Sequence, residues 1–178
     1  MQIFYIDHFI LPLPAGHRFP MEKYAMLRQA VSQFAPTLLQ EPEAASAEEL
    51  ALAHDPDYIT QVFSGTLPAA AQREIGFPWS PELVERSRRS VGATLAACRS
   101  ALWSGCGVNL AGGTHHASYA RGSGFCVFND IVTAARVMQR EGRIRRALVI
   151  DLDVHQGNGT AALCQDDPSI YTFSMHGA

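Results

Sequence analysis

The chain has 178 residues, 47% hydrophobic and 17% charged, which is enough for one ordinary globular domain with a substantial core. Its 14 basic and 17 acidic side chains give a net charge of -3 without a basic stripe, which argues against direct nucleic-acid binding. No apolar stretch approaches the length needed to cross a bilayer, so no membrane role is expected.

"QIFYI" (residues 2 to 6) reads as a first strand rather than a signal peptide, because no basic leader or small-residue cleavage site accompanies it. "FPMEKYAMLRQAVSQFA" spaces Met21, Tyr24, Leu27, Val31 and Phe34 three to four apart, predicting an amphipathic helix opened by Pro20. "SAEELALAHDPDYITQVFSG" begins with a capping box, Ser46 and Glu49, and breaks at Asp55-Pro56. A long helix follows Ser80 and Pro81, with Val84, Val91, Leu95, Cys98 and Leu102 as its apolar stripe and Gly105 as its stop. "GVNLAGG" is a strand running into glycines, and "NDIVTAARVMQREG" is a helix capped by Asn129 and stopped by Gly142. "RALVIDLD" shows no polar alternation and is expected to be covered on both faces. "SIYTFSMHG" is a last strand. Strands alternating with helices predict a parallel α/β sheet, whose ligands gather beyond the carboxyl ends of the strands. "GGTHH", "DLDVH" and "SMHG" all fall at such ends. The four cysteines, Cys98, Cys106, Cys126 and Cys164, lack C-x-x-C spacing and read as reduced thiols of a cytoplasmic protein.

Two carboxylates and an imidazole, Asp151, Asp153 and His155, sit two apart where the neighbouring residues are apolar. Side chains two apart on a strand share a face, so Asp153 and His155 suit one divalent ion, with Asp151 on the same parity. The same pattern suits a strand end that caps its turn, and spacing alone leaves both readings open. His115 and His116 are adjacent after two glycines. Such a pair beside a metal is suited to proton transfer, although a His-His pair alone is more often structural. Asp151 is a candidate partner for one ring, and Asn158 for the other. "GSGFC" by itself is a turn closed by Phe125, with Cys126 a small core residue.

Together, "GGTHHASYARGSGFCVFND", "ALVIDLDVHQGNGT" and "TFSMH" resemble the histone deacetylase family of the arginase–deacetylase fold. "AGHRFPMEKYAMLRQA" and "IGFPWSPELVERSRRSVGAT" resemble its bacterial and class IV branch. The resemblance implies a three-layer α/β/α architecture with a mostly parallel sheet. It covers residues 1–178 as a single domain, incomplete on the C-terminal side. It also implies that Asp153 and His155 are two of three zinc ligands. His115 and His116 match the pair beside the metal-bound water, with His116 in the general-base position. Asp151 stands behind His115, and Asn158 stands behind His116 where some members carry Asp; an amide orients the ring but adds no negative charge. Gly124 and Phe125 match the wall of an acyl-lysine tunnel. Asp151, Asp153, His155, Ser174 and Met175 match an inner potassium site.

The implied reaction is metal-assisted amide hydrolysis, with zinc or another divalent ion as cofactor and an acyl-lysine protein or small acyl amine as substrate. The family's third zinc ligand, an aspartate, and its carbonyl-binding tyrosine lie further along than "SMHGA". Without that tyrosine, a stabilising effect on the order of 3 kcal/mol is missing. A truncated, non-catalytic relative that binds a metal or partner is therefore the alternative reading. Arginase-type chemistry is disfavoured, because it uses two metals and a different carboxylate-rich pattern. The strand at 170–175 is expected to present an unpaired edge or an uncovered face, which raises the odds of self-association.

Overall fold

The computed structural model describes residues 1–177. Its elements in chain order are β1 (Ile3–Phe4), α1 (Glu22–Ser32), β2 (Leu39–Gln40), α2 (Ala47–Leu50), α3 (Pro56–Ser64) and α4 (Ala69–Ile75). They continue with α5 (Pro81–Ser104), β3 (Val108–Asn109), α6 (Asp130–Arg140), β4 (Ala147–Asp151), α7 (Asn158–Cys164) and β5 (Ile170–Ser174). All strand pairs are parallel. β1 lies between β2 and β3, and β4 pairs with β5 in a register running from Ala147↔Ile170 to Asp151↔Ser174. The chain is thus α/β with parallel strands, set as a three-stranded and a two-stranded piece.

The helix ends follow the local chemistry. Ser46 and Glu49 close a reciprocal capping box on α2. Ser80 Oγ accepts from Leu83 N at 3.1 Å with Pro81 at the first helical position, and Gly105 stops α5 in the left-handed region. Asn129 Oδ1 accepts from Val132 N at 3.0 Å to open α6. α5 is the spine: its inner face buries Leu83, Val91, Ala93, Leu95 and Ala97, and the main core joins it to Val137 and Met138 of α6 and Tyr58, Ile59 and Val62 of α3. Val84 is only half-buried and Leu102 is exposed, so the stripe sits about one residue from its expected position at the start.

Two expectations are corrected. In α1 only Val31 is buried, while Leu27 and, past the helix end, Phe34 are exposed, because the helix rides on the rim instead of the core. β4 is not covered on both faces. Val149 packs with Val132, Ala135, Cys164 and Ile170, but Leu148 and Ile150 are 62% and 60% exposed. α6 and α7 supply cover on one side only, and the opposite face continues through Tyr171, Phe173 and Met175 of the β5 segment. The uncovered face expected at residues 170–175 is therefore present among the described residues. Finally, α4 and α7 form where the pattern was too short to read. A proline-led alanine run stopped by Gly76 was the signal for α4. All four cysteines are free, and no helix of the described residues is long and apolar enough to cross a membrane.

Candidate active site

The segments after β3 and β4 meet at an open cleft of about 600 Å³. Its lining includes His115, His116, Gly124, Phe125, Asp153 and His155, together with Arg18, Phe19, Lys23 and Tyr24 from the segment around the start of α1. Sequence reasoning missed these last four; Arg18 to Tyr24 read as helix approach, and no local spacing ties them to the cleft.

The histidine loop is fixed from beneath by two consecutive residues. Asp130, 1% exposed, accepts from Gly113 N, Thr114 N, Thr114 Oγ1 and Thr94 Oγ1 at 3.1, 2.8, 2.7 and 2.6 Å. Asn129 Nδ2 donates to Ala117 O and Thr160 Oγ1 at 3.1 and 3.0 Å, and Thr160 N donates to His115 O at 3.0 Å. Asp130 is the first residue of α6, and its place in the sequence carries no sign of this role.

Buried His54 completes this support. A carbonyl oxygen only accepts, so His54 Nδ1–H donates to Ser118 O at 2.9 Å, while Nε2 accepts from Asn129 N at 2.8 Å. The Nε2 contact requires the neutral ring, and burial pushes its pKa from 6.5 down to about 4. The unfolded chain therefore binds this proton more readily than the folded one. Stability from His54 is complete above pH 6.5 and falls as the pH drops toward about 4, by about 3 kcal/mol in total. Urea unfolding across that window should show the slope, and His54→Gln should flatten it.

The two histidines at the cleft differ in their partners. His115 is buried, and its Nδ1–H donates to Asp151 Oδ2 at 2.6 Å. His116 Nδ1–H donates to Asn158 Oδ1 at 2.7 Å, which leaves the Nε2 lone pair free. The ring centroids are 4.2 Å apart. Gly157 N donates to Ser174 Oγ at 3.3 Å, and Gly157 lies so close to Asp151 that a Cβ there would collide with Oδ2. Gly157→Ala is therefore expected to break the Asp151–His115 contact and lower turnover about 10- to 100-fold, read as kcat with circular dichroism unchanged.

Asp153 and His155 converge. Asp153 Oδ1 accepts from His155 N at 2.7 Å and lies 3.2 Å from His155 Nδ1. The His155 backbone N–H, with the nearby His115 as a smaller influence, holds the Asp153 carboxyl below its ordinary range, so it stays ionised. Two donors on one tetrahedral zinc, each at about 2.0–2.1 Å, stand about 3.3 Å apart. The pair thus fits one edge of such a site. No cluster of three or more His, Cys, Asp or Glu groups suited to a metal occurs among the described residues. Among the residues matched to potassium, Asp151 pairs with Ser174 in the β4–β5 register, Met175 N donates to Asp151 O at 3.0 Å, and Asp153 N donates to Asp151 Oδ1 at 3.0 Å.

Gly124 and Phe125 form one wall. Gly124 has φ +54, and a Cβ there would lie 2.6 Å from His116 Cδ2, so the ring can stand where it does only over a glycine. Phe125 also has positive φ, at 68°, a strained state for an aromatic residue. Its N–H is anchored on Ile75 O at 2.7 Å, and its ring stacks obliquely on Phe19 and Phe77 with centroids 5.0 Å away in each case. Cys126 is buried, and burial raises its thiol pKa to about 12, so it fills space and offers no nucleophile.

Comparison with known proteins bears on the family and the fold. The family model for the histone deacetylase domain matches residues 17–178. An uncharacterized protein of Picosynechococcus is 44% identical over 177 residues, covering 98% of this chain and 59% of that one. The human polyamine deacetylase HDAC10 is 36% identical over 142 residues, covering 74% of this chain and 21% of that one. The crystal structure of an HDAC homolog from Aquifex aeolicus superposes with a TM-score of 0.81 at 25% identity, covering 98% of this chain and 50% of that one. The chain therefore spans between about a fifth and three fifths of the length of these relatives.

Proposed function

Given that this chain belongs to the histone deacetylase family, we propose that its cleft hydrolyses an acyl amide, releasing an acetyl or longer acyl group from lysine or a related amine. One observation carries the reading: an ionised carboxylate and an imidazole converge beside a histidine whose Nε2 is free to accept a proton. Asp153 and His155 would hold a divalent ion, zinc by the chemistry of the donors. When bound, that ion supplies a Lewis acid for the acyl carbonyl and makes a coordinated water more acidic.

The chain's own residues do the rest. His116 takes the water's proton at Nε2, while Asn158 Oδ1 holds the opposite edge of the ring. That proton passes from His116 Nε2 to the leaving amine, while buried His115, held by Asp151, stands beside it as a second imidazole 4.2 Å away. Phe125, with Gly124 beside it, flanks the aliphatic stem of the substrate and keeps water from it. Asp151, Asp153, His155, Ser174 and Met175 form a place for a structural potassium ion that would offset the neighbouring carboxylates.

With two protein donors among the described residues, zinc is expected to bind weakly. The 178-residue chain should release acetate from an acetyl-lysine peptide only with added zinc, and lose the activity on chelation or in Asp153→Ala. Zinc-independent turnover would overturn the metal role. Zinc binding without turnover would select the second reading, a metal- or partner-binding relative, which the two-donor count favours.

A further inference from the structure

The cleft carries an unusual distribution of charge. Of its lining side chains, Arg18 and Lys23 are cationic, and Asp153 is the one carboxylate, already engaged by His155. Arg18 and Lys23 are both exposed, and neither forms an ion pair among the described residues. They are nevertheless held in place by aromatic faces. The Arg18 guanidinium lies 5.2 Å from the Phe125 ring centroid, and Lys23 Nζ lies 4.9 and 5.0 Å from those of Phe19 and Tyr24. Phe125, Phe19 and Tyr24 all line the cleft, so both charges border the path a substrate takes.

Two uncompensated cations at a concave, partly apolar mouth make a positive potential there, in a chain whose net charge is -3. We propose that Arg18 and Lys23 form an anion-selecting rim, so that the preferred substrate is an acyl-lysine flanked by carboxylates. Polycationic acyl amines, such as acylated polyamines, are disfavoured by like-charge repulsion at the same place. This inference rests on reading the cleft as the acyl-amine site.

The test uses two acetyl-lysine peptides of equal length carrying a neutral dye, one flanked by glutamates and one by lysines. Their affinity is measured by fluorescence anisotropy with the 178-residue chain, with Arg18→Gln/Lys23→Gln, and with Arg145→Gln/Arg146→Gln. The last pair is exposed, lies outside the cleft lining and removes the same formal charge. The glutamate peptide is expected to bind about ten-fold tighter at low salt. That ratio should shrink to about two-fold in the rim variant and at about 0.5 M salt, and persist in the control variant. Equal affinities, a preference shared equally by both variants, or failure of the glutamate peptide to bind the parent chain would overturn the proposal. Turnover is read separately. Selective binding without turnover would leave the rim standing and remove the hydrolytic reading, whereas turnover of both peptides with equal affinities would do the reverse.

Discussion

Replacing His116 by alanine should cut acetyl-lysine turnover by about 10²- to 10⁴-fold while leaving the unfolding midpoint nearly unchanged. The size follows from position. His116 Nδ1 is committed to Asn158, and only Nε2 is free at the cleft, so no other atom of this residue can take the proton. His115 cannot substitute, because it is buried and tied to Asp151 on one edge, with Nε2 3.7 Å from Asp153 Oδ1 on the other. Stability should hold, since the half-exposed His116 ring fills no core space. Asn158→Ala should cost less, about ten-fold, because it releases the ring without removing the base. The measurement is kcat at saturating substrate alongside urea unfolding. Unchanged turnover in His116→Ala would rule out the base role.

Asp130→Ala should be the most destabilising single change near the cleft, by about 4 kcal/mol. Four donors converge on this carboxylate, and alanine would take the acceptor away from the N–H groups of exposed Gly113 and half-buried Thr114 and from the Thr94 and Thr114 hydroxyls. Thr114 Oγ1 also accepts from Asp130 N at 3.0 Å, so the two residues lock each other. Asp130→Asn is informative because it preserves shape. One amide oxygen can accept, but the NH₂ group faces donors, and about half of the loss should remain. Denaturant midpoints decide this. A shift below about 1 kcal/mol in the alanine variant would mean that the histidine loop is held by other contacts.

These residues also mark what a sequence can and cannot disclose. The His115–Asp151 and His116–Asn158 contacts were readable because each partner lies at or in the segment beyond the carboxyl end of β3 or β4, where the chain order of an α/β fold brings loops together. Their catalytic roles are proposals that the contacts support. Asp130, Arg18 and Lys23 were not readable, since each meets the cleft through tertiary packing that no local spacing encodes. The misreadings share a cause. The apolar spacing of α1 and the unbroken apolar run of β4 report a capacity for burial, but what is buried depends on which neighbours arrive. For Val149 a neighbour does, and for Ile150 among the described residues it does not. α7 was hidden for another reason: Asn158 and Gly159 look like turn residues, yet about two turns of helix form there, with Thr160 reaching the histidine loop.

Asn129 and Asp130 open α6, and between them they grip both sides of the histidine loop. Mechanically, the floor of the cleft is therefore an extension of that helix. A substrate cannot enter by bending the floor aside, and a product cannot leave that way, without breaking the helix start. Traffic falls instead to the opposite bank, where residues 17–24 lead into a helix that buries only Val31. On the proposed function, the bank gripped by α6 would hold the reacting groups in place, and adjustment to an entering substrate would fall to residues 17–24.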